Sequence, residues 1–150
     1  MQETFFTSKE AAKITGCTLR QLQYWRERGV IVPAISDTGT GRSIYYSKPD
    51  LLELAAMSYW LSVGLSFDIA STTLKKLKDQ EPELFTSGKG KRFMLLLEPQ
   101  ERSPLGVLKV SLELVEYDRK KAIASLDAGK PVIPVWLDEI YQQLQQKLKA

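Results

Sequence analysis

Residues 18–28 combine cationic, amide and aromatic side chains in a pattern that can recognise nucleic acid. The segment reads Thr-Leu-Arg-Gln-Leu-Gln-Tyr-Trp-Arg-Glu-Arg and is followed by Gly29. Arginine can donate two hydrogen bonds to guanine, while hydroxyl, amide and cationic groups can hold phosphates. Helical spacing predicts that Leu19 and Leu22 face the core, with the polar side chains outward. Thr18 suits the start of this helix, and Gly29 suits its end.

A shorter helix is predicted immediately before this segment, over residues 8–15. Thr7 or Ser8 can cap its start, and Gly16 interrupts it. Two short helices joined by a tight turn are typical of a helix-turn-helix, whose second helix can enter the major groove of DNA. The first thirty residues therefore predict sequence-specific DNA binding.

Composition excludes several other kinds of site. The 150-residue chain has a formal charge of +3, no histidine and a single cysteine, Cys17. Histidine-based metal sites, histidine acid–base catalysis and an intrachain disulfide are thus excluded, and we expect Cys17 to be a small buried residue. No nucleophile–base pair or metal-ligand cluster is visible, so we predict a protein that is not an enzyme and needs no cofactor or metal. No signal sequence or membrane-spanning run is recognised, which predicts a cytoplasmic, nucleoid-associated protein.

The segment that follows predicts a β-hairpin and two more helices. Residues 30–35 and 42–46 are expected to be extended on either side of a glycine-containing turn, so that residues 37–46 form a wing. Ser47, with a proline and an aspartate close behind, predicts the start of a third helix. Ser66 predicts the start of a fourth. The fold class expected for residues 1–80 is a mainly α-helical, winged helix-turn-helix domain with small β elements.

Residues 81–150 predict a small α+β region that serves dimerisation or effector binding and ends in an amphipathic helix. The alternation within residues 107–117 favours a strand, although the spacing of the leucines also fits a helix, and the final apolar stripe slightly favours a subunit interface. The remaining expectations for this region are a loop over 87–92, a buried strand over 93–97, a loop over 99–104, a helix over 118–128, an edge strand over 131–135 and a helix over 136–148.

Residues 5–78 resemble the N-terminal DNA-binding domain of the MerR family of bacterial transcription regulators. The resemblance is carried by the two helices over residues 8–25, by Gly29 and the apolar residues after it, by Tyr-Ser-Lys-Pro-Asp-Leu at 46–51, and by Val-Gly-Leu-Ser-Phe at 63–67. It implies a homodimer that binds a palindromic operator in double-stranded DNA. The family's recognition helix lies in the major groove, and its wing lies on the flanking backbone.

Carried over to this chain, the resemblance makes Arg20 the candidate for a base contact. Thr18 and Gln21 are candidates for contacts to bases or phosphate, and Tyr24, Arg26 and Arg42 for contacts to phosphate. The chain departs from the family's pattern in three respects. Ile44 replaces an arginine that is frequent in the wing, Trp25 replaces the second tyrosine of a pair, and the long dimerisation helix is not evident.

Two alternatives to a dimeric transcription regulator stay open on the sequence. One is an architectural or recombination-accessory protein, similar to excisionases, that binds DNA cooperatively without an effector. The other is a regulator whose C-terminal region binds a small-molecule effector.

Overall fold

A computed structural model describes residues 4–36, 44–102 and 108–149. Its helices are α1 (Ser8–Thr15), α2 (Leu19–Glu27), α3 (Lys48–Ser62), α4 (Phe67–Gln80), α5 (Glu83–Ser87), α6 (Arg119–Asp127) and α7 (Leu137–Lys149). Its strands are β1 (Phe6–Thr7), β2 (Ile35–Ser36), β3 (Ile44–Tyr46), β4 (Phe93–Arg102), β5 (Leu108–Glu116) and β6 (Val132–Val135). The described residues are thus mainly helical with two small antiparallel sheets, as the sequence predicts.

The first helices begin where short polar side chains can accept backbone hydrogen bonds. The Thr7 hydroxyl accepts from the N–H of Glu10, whose carboxylate accepts from the N–H of Thr7. This reciprocal pair satisfies two donors that an isolated helix would leave without partners. Gly16 has a φ of 80°, and its N–H bonds to the carbonyl of Ala12, which ends α1.

Strands β1, β3 and β2 form the first sheet, with β3 in the centre. Tyr45 on β3 lies opposite Thr7 on β1 and Ile35 on β2. The pairing of β2 with β3 agrees with the expected hairpin, although the extended stretch before it is shorter than predicted. Residues 37–43, which contain the predicted turn and Arg42, lie outside the described residues.

The chain divides into two compact units, which we call unit 1 (Met1–Lys89 with Leu137–Ala150) and unit 2 (Gly90–Trp136). In unit 1, α7 packs against α1, α3 and α5, and Leu144 is buried there. The apolar stripe of α7 therefore covers its own unit rather than a second subunit, contrary to the preference drawn from the sequence.

Unit 2 contains a sheet in the order β5-β4-β6, together with α6. Residues 108–116 form a strand, which decides the ambiguity between strand and helix. The expected loop over 99–104 is wrong in its first part, because β4 continues through Pro99 to Arg102. Leu97 donates its N–H to the carbonyl of Pro131, the residue just before β6, so odd-numbered residues of β4 point their N–H groups towards β6. Pro99 lies beyond the end of that pairing, where a missing N–H costs nothing.

Candidate nucleic-acid interface

The N-cap of α2 and the first two residues of the helix are exposed. Thr18, Leu19 and Arg20 follow one another in the chain, and all three are exposed, Leu19 to 48%. Leu22 and Trp25, further along, are buried. Because residues 18–20 span about 200° around the helix axis, more than half of the circumference is exposed at this end, which projects from unit 1 on that side. The expectation that Leu19 faces the core is wrong for this reason.

A second reciprocal cap fixes the projecting end. The Thr18 hydroxyl accepts from the N–H of Gln21 at 3.0 Å, and the side-chain oxygen of Gln21 accepts from the N–H of Thr18 at 2.9 Å. Both predicted contact residues therefore have structural roles in starting α2. The amide NH₂ of Gln21 is not used by this cap, so it can still donate to a base or a phosphate.

Arg20, Tyr24 and Arg28 form an exposed stripe at four-residue intervals along α2. No hydrogen bond or ion pair of the Arg20 side chain occurs within the described part of the chain. Tyr24 packs on Phe67 of α4 with ring centroids 5.1 Å apart, and the Arg28 guanidinium lies 5.8 Å from the Tyr24 centroid. Arg28, which the sequence reading did not include, thus accompanies two predicted contact residues. Its spacing from Tyr24 is the signal that would have identified it.

Arg26, by contrast, points partly into the protein. One of its guanidinium nitrogens donates to the hydroxyl of Tyr46 at 2.8 Å. Tyr46 is fully buried on β3, and burial raises the pKa of its hydroxyl, opposed by the hydrogen bond and charge of Arg26. This contact joins the C-terminal part of α2 to the central strand of the first sheet. Arg26 is therefore a structural link as well as a candidate phosphate contact.

A buried carboxylate fixes the start of β2 relative to α3. Asp50 is 8% exposed, and its Oδ2 accepts hydrogen bonds from the N–H groups of Ala34 and Ser47, each at 2.9 Å. The Ser47 hydroxyl accepts in return from the N–H of Asp50. The bond to Ser47 belongs to the cap of α3, whereas the bond to Ala34 holds the residue just before β2. One side chain thereby sets the position from which the predicted wing extends.

An open cleft of about 420 Å³ lies between the end of α2 and the outer side of α4. Arg28 and Lys75 line it together with the hydroxyl-bearing Ser71 and Thr72. Lys78 also lines it, but its ammonium is bonded at 3.0 Å to Glu53, a largely buried carboxylate of α3. Burial raises the pKa of Glu53, and the hydrogen bond and charge of Lys78 oppose that rise. Arg28 belongs to both the cleft and the exposed stripe on α2, and Lys75 extends the row of cationic side chains from there to α4.

Cys17 lies just before the projecting turn but is buried, 5% exposed, as the sequence predicts. Its Sγ lies 3.5 Å from the carbonyl oxygen of Leu54 on α3. Burial raises the pKa of its thiol, which keeps it in the neutral form. It therefore helps to pack the turn between α1 and α2.

Residues 6–77 match the model of the MerR HTH family regulatory proteins. A segment of 62 residues, which is 41% of this chain, is 37% identical to proteins named as uncharacterized HTH-type transcriptional regulators. These proteins come from Mycobacterium bovis and from two strains of Mycobacterium tuberculosis. The matched segment covers 28% of the length of each of these relatives. Among the residues that the structure describes, no helix has the length and apolar character to cross a membrane.

Proposed function

We propose that this chain, in which residues 6–77 match the MerR HTH family model, is a dimeric, non-enzymatic transcription regulator that reads a palindromic operator. The observation that carries the proposal is the projecting first turn of α2. A helix whose first residues are exposed over more than half of its circumference can enter the major groove, where side chains can read the base edges. The proposed place of action is the bacterial cytoplasm, on the nucleoid.

We assign the base contacts to Arg20 and Leu19. The Arg20 guanidinium has the paired donors that fit the O6 and N7 acceptors of guanine. Leu19 is an exposed aliphatic side chain beside it, and such groups pack against the methyl group of thymine. Thr18 and Gln21 hold the helix end in register and add short-range contacts. The preferred half-site accordingly contains a guanine next to a thymine.

We assign the phosphate contacts to Tyr24, Arg28 and Lys75, along the stripe and its adjoining cleft. The wing, including Arg42, is assigned to the flanking backbone by its resemblance to the family's wing. Phosphate contacts position the protein without reading sequence, so their loss weakens binding to all DNA alike. The base contacts and phosphate contacts are therefore separable by mutation.

The experiment is selection of bound sequences from a random DNA pool, followed by affinity measurements at several salt concentrations. Arg20→Ala is expected to weaken binding to the selected site by about 10–100-fold and to relax the preference at one base pair, as loss of a bidentate base contact does. Arg28→Ala is expected to weaken binding to all sequences and to reduce the salt slope by about one. Arg119→Ala, an exposed arginine on α6 of unit 2, is the matched control and should bind like wild type.

Two outcomes would overturn the proposal. If wild-type protein enriches no sequence and binds cooperatively along any DNA, the architectural alternative is correct. If Arg20→Ala keeps both the affinity and the base preference, the projecting end of α2 is not the element that reads DNA.

A further inference from the structure

A groove of about 500 Å³ lies between α1 and α7 in unit 1, and none of the residues assigned to DNA contact lines it. We call it the α1–α7 groove, and its lining consists of the apolar Phe6, Ile14 and Leu148 and the charged Glu10, Lys13 and Lys147. Sites for small molecules are hollows of this size, mostly apolar and with a few polar groups that fix the orientation of the ligand. The groove therefore has the dimensions and the lining of a ligand site.

The charged side chains of the α1–α7 groove differ in their availability. Lys13 on α1 and Lys147 on α7 are exposed, and neither ammonium makes a hydrogen bond or ion pair within the described part of the chain. Glu10 is engaged in the cap of α1, where its carboxylate accepts from the N–H of Thr7 at 3.0 Å. The groove thus offers one available cation from each helix, against a single carboxylate that already has a partner. Charge complementarity favours an anionic occupant.

A smaller hollow of about 170 Å³ adjoins the α1–α7 groove, because Ile14 and Lys147 line both. It lies among α1, α3 and α7, and the side chains of Tyr59 and Gln143 contribute polar groups to it. Among the residues that the structure describes, neither of these two side chains has a hydrogen-bond partner. The smaller hollow can therefore accept a polar substituent of a ligand whose body lies in the groove.

We propose that the α1–α7 groove binds an amphipathic carboxylate, a small molecule with an aliphatic or aromatic body and one acidic group. The carboxylate lies between Lys13 and Lys147, since hydrogen bonds between two charged groups are the strongest available there. The body of the ligand packs on Phe6, Ile14 and Leu148 and removes their apolar surface from water. This inference goes beyond the proposed function and does not depend on DNA binding.

The hollow in unit 2 fits such a ligand less well. Its volume is about 180 Å³, and its charged lining includes Glu98 and Lys130. The ammonium of Lys130 is already bonded to the carboxylate of Glu98. An anion bound there would have to displace this ion pair. The site is therefore assigned to the groove between α1 and α7 and not to the hollow in unit 2.

The test is a fluorescence titration of the full chain, without DNA, using two probes that share one ring system. Anilinonaphthalene sulfonate carries a negative charge, as the proposed ligand does, whereas phenylnaphthylamine is uncharged. Wild type should bind the charged probe saturably. The double variant Lys13→Gln with Lys147→Gln should bind the charged probe about tenfold more weakly and the uncharged probe within about twofold of wild type.

A matched control separates the groove from the general charge of the two helices. Lys9→Gln with Lys149→Gln removes the same charge from α1 and α7, but neither residue lines the groove or the smaller hollow. This variant should bind both probes like wild type. Leu148→Ser should weaken both probes, because it removes apolar surface that each of them covers. Circular dichroism confirms that every variant is folded.

Displacement of the charged probe identifies the chemical class of the ligand. Octanoate, an aliphatic carboxylate, should displace the probe from wild type at concentrations about tenfold lower than octanol, which has the same chain without the charge. If octanol is equally effective, or if octanoate displaces nothing, the assignment of a carboxylate is wrong.

The inference is overturned if wild type does not bind the charged probe saturably, or if the Lys13 and Lys147 double variant binds it as well as the control variant does. Equal weakening of both probes by that double variant would also overturn it, because the two lysines would then act on the fold and not on the anion. A chain that selects a DNA site but binds no probe would refute this inference alone. A chain that binds the probe as expected but selects no DNA site would refute the proposed function alone.

Discussion

Replacing Asp50 by alanine tests whether one carboxylate fixes the start of β2 to α3. The change removes the acceptor of two N–H groups, those of Ala34 and Ser47, each held at 2.9 Å. A hydrogen bond to a charged group is worth about 1.5–3 kcal/mol, and the site is mostly buried. We therefore expect Asp50→Ala to lower the free energy of unfolding by about 3 kcal/mol. Both N–H groups bond to the same oxygen, Oδ2. Asp50→Asn can place its amide oxygen there, but a neutral acceptor forms bonds about half as strong, so this variant should lose about half as much.

Urea unfolding of the full chain, followed by circular dichroism, gives the free-energy change. Asp68→Ala is the matched control, because Asp68 also lies in the first turn of a helix but is exposed. Its loss should cost about 0.5 kcal/mol through the helix dipole alone. Hydrogen exchange adds a local readout, in which the Ala34 amide loses protection while the amides of α1 do not. If Asp50→Ala costs no more than Asp68→Ala, the carboxylate does not hold this junction and the reasoning is refuted.

Two further predictions concern unit 1. Burial raises the pKa of Glu53 above its ordinary 4.5. Between pH 4.5 and the raised pKa, the carboxyl group of Glu53 is therefore protonated in the folded state but has lost its proton in the unfolded chain. Wild-type stability relative to Glu53→Gln should therefore fall as pH rises from about 4.5 and level off above the raised pKa; an opposite trend in urea titrations would contradict this. Gly88 and Gly64 both have a positive φ, of 69° and 98°. A Cβ added at Gly88 would overlap the ring of Tyr141, whereas a Cβ added at Gly64 would contact no other atom within 4 Å. Gly88→Ala should thus cost about 1–3 kcal/mol more than Gly64→Ala in thermal or urea unfolding, and equal costs would exclude the ring contact.

The helix starts of unit 1 were predictable because their causes are local. Thr18 and Ser47 each cap a helix through a residue three positions later, and the spacing is visible in the sequence. The glycines that end helices are equally local, since only glycines adopt a positive φ among the described residues. The helix predicted over residues 18–28 therefore agrees with α2 (Leu19–Glu27) together with its two cap residues, Thr18 and Arg28.

The errors arose where a residue's role depends on distant parts of the chain. Helical spacing marks a face for Leu19 but does not reveal that the helix end projects from unit 1. The stripe on α7 marks an apolar face without identifying what covers it. Pro99 is tolerated only because β6 ends before reaching it, and Arg26 finds its partner, Tyr46, twenty residues away in the chain. In each case local sequence gives the chemistry of a side chain, and tertiary structure decides its partner.

The insertion of unit 2 between the two parts of unit 1 has a consequence for synthesis. Helix α7 belongs with α1 and α3, yet the ribosome makes all of residues 90–136 before it reaches Leu137. At roughly 5–20 residues per second, the first part of unit 1 waits about 2–10 s with its α7-binding surface uncovered. By the end of that interval all strands of unit 2 have been made, so unit 2 can fold as a continuous segment. The unit that appears first in the chain is thus the last to be completed.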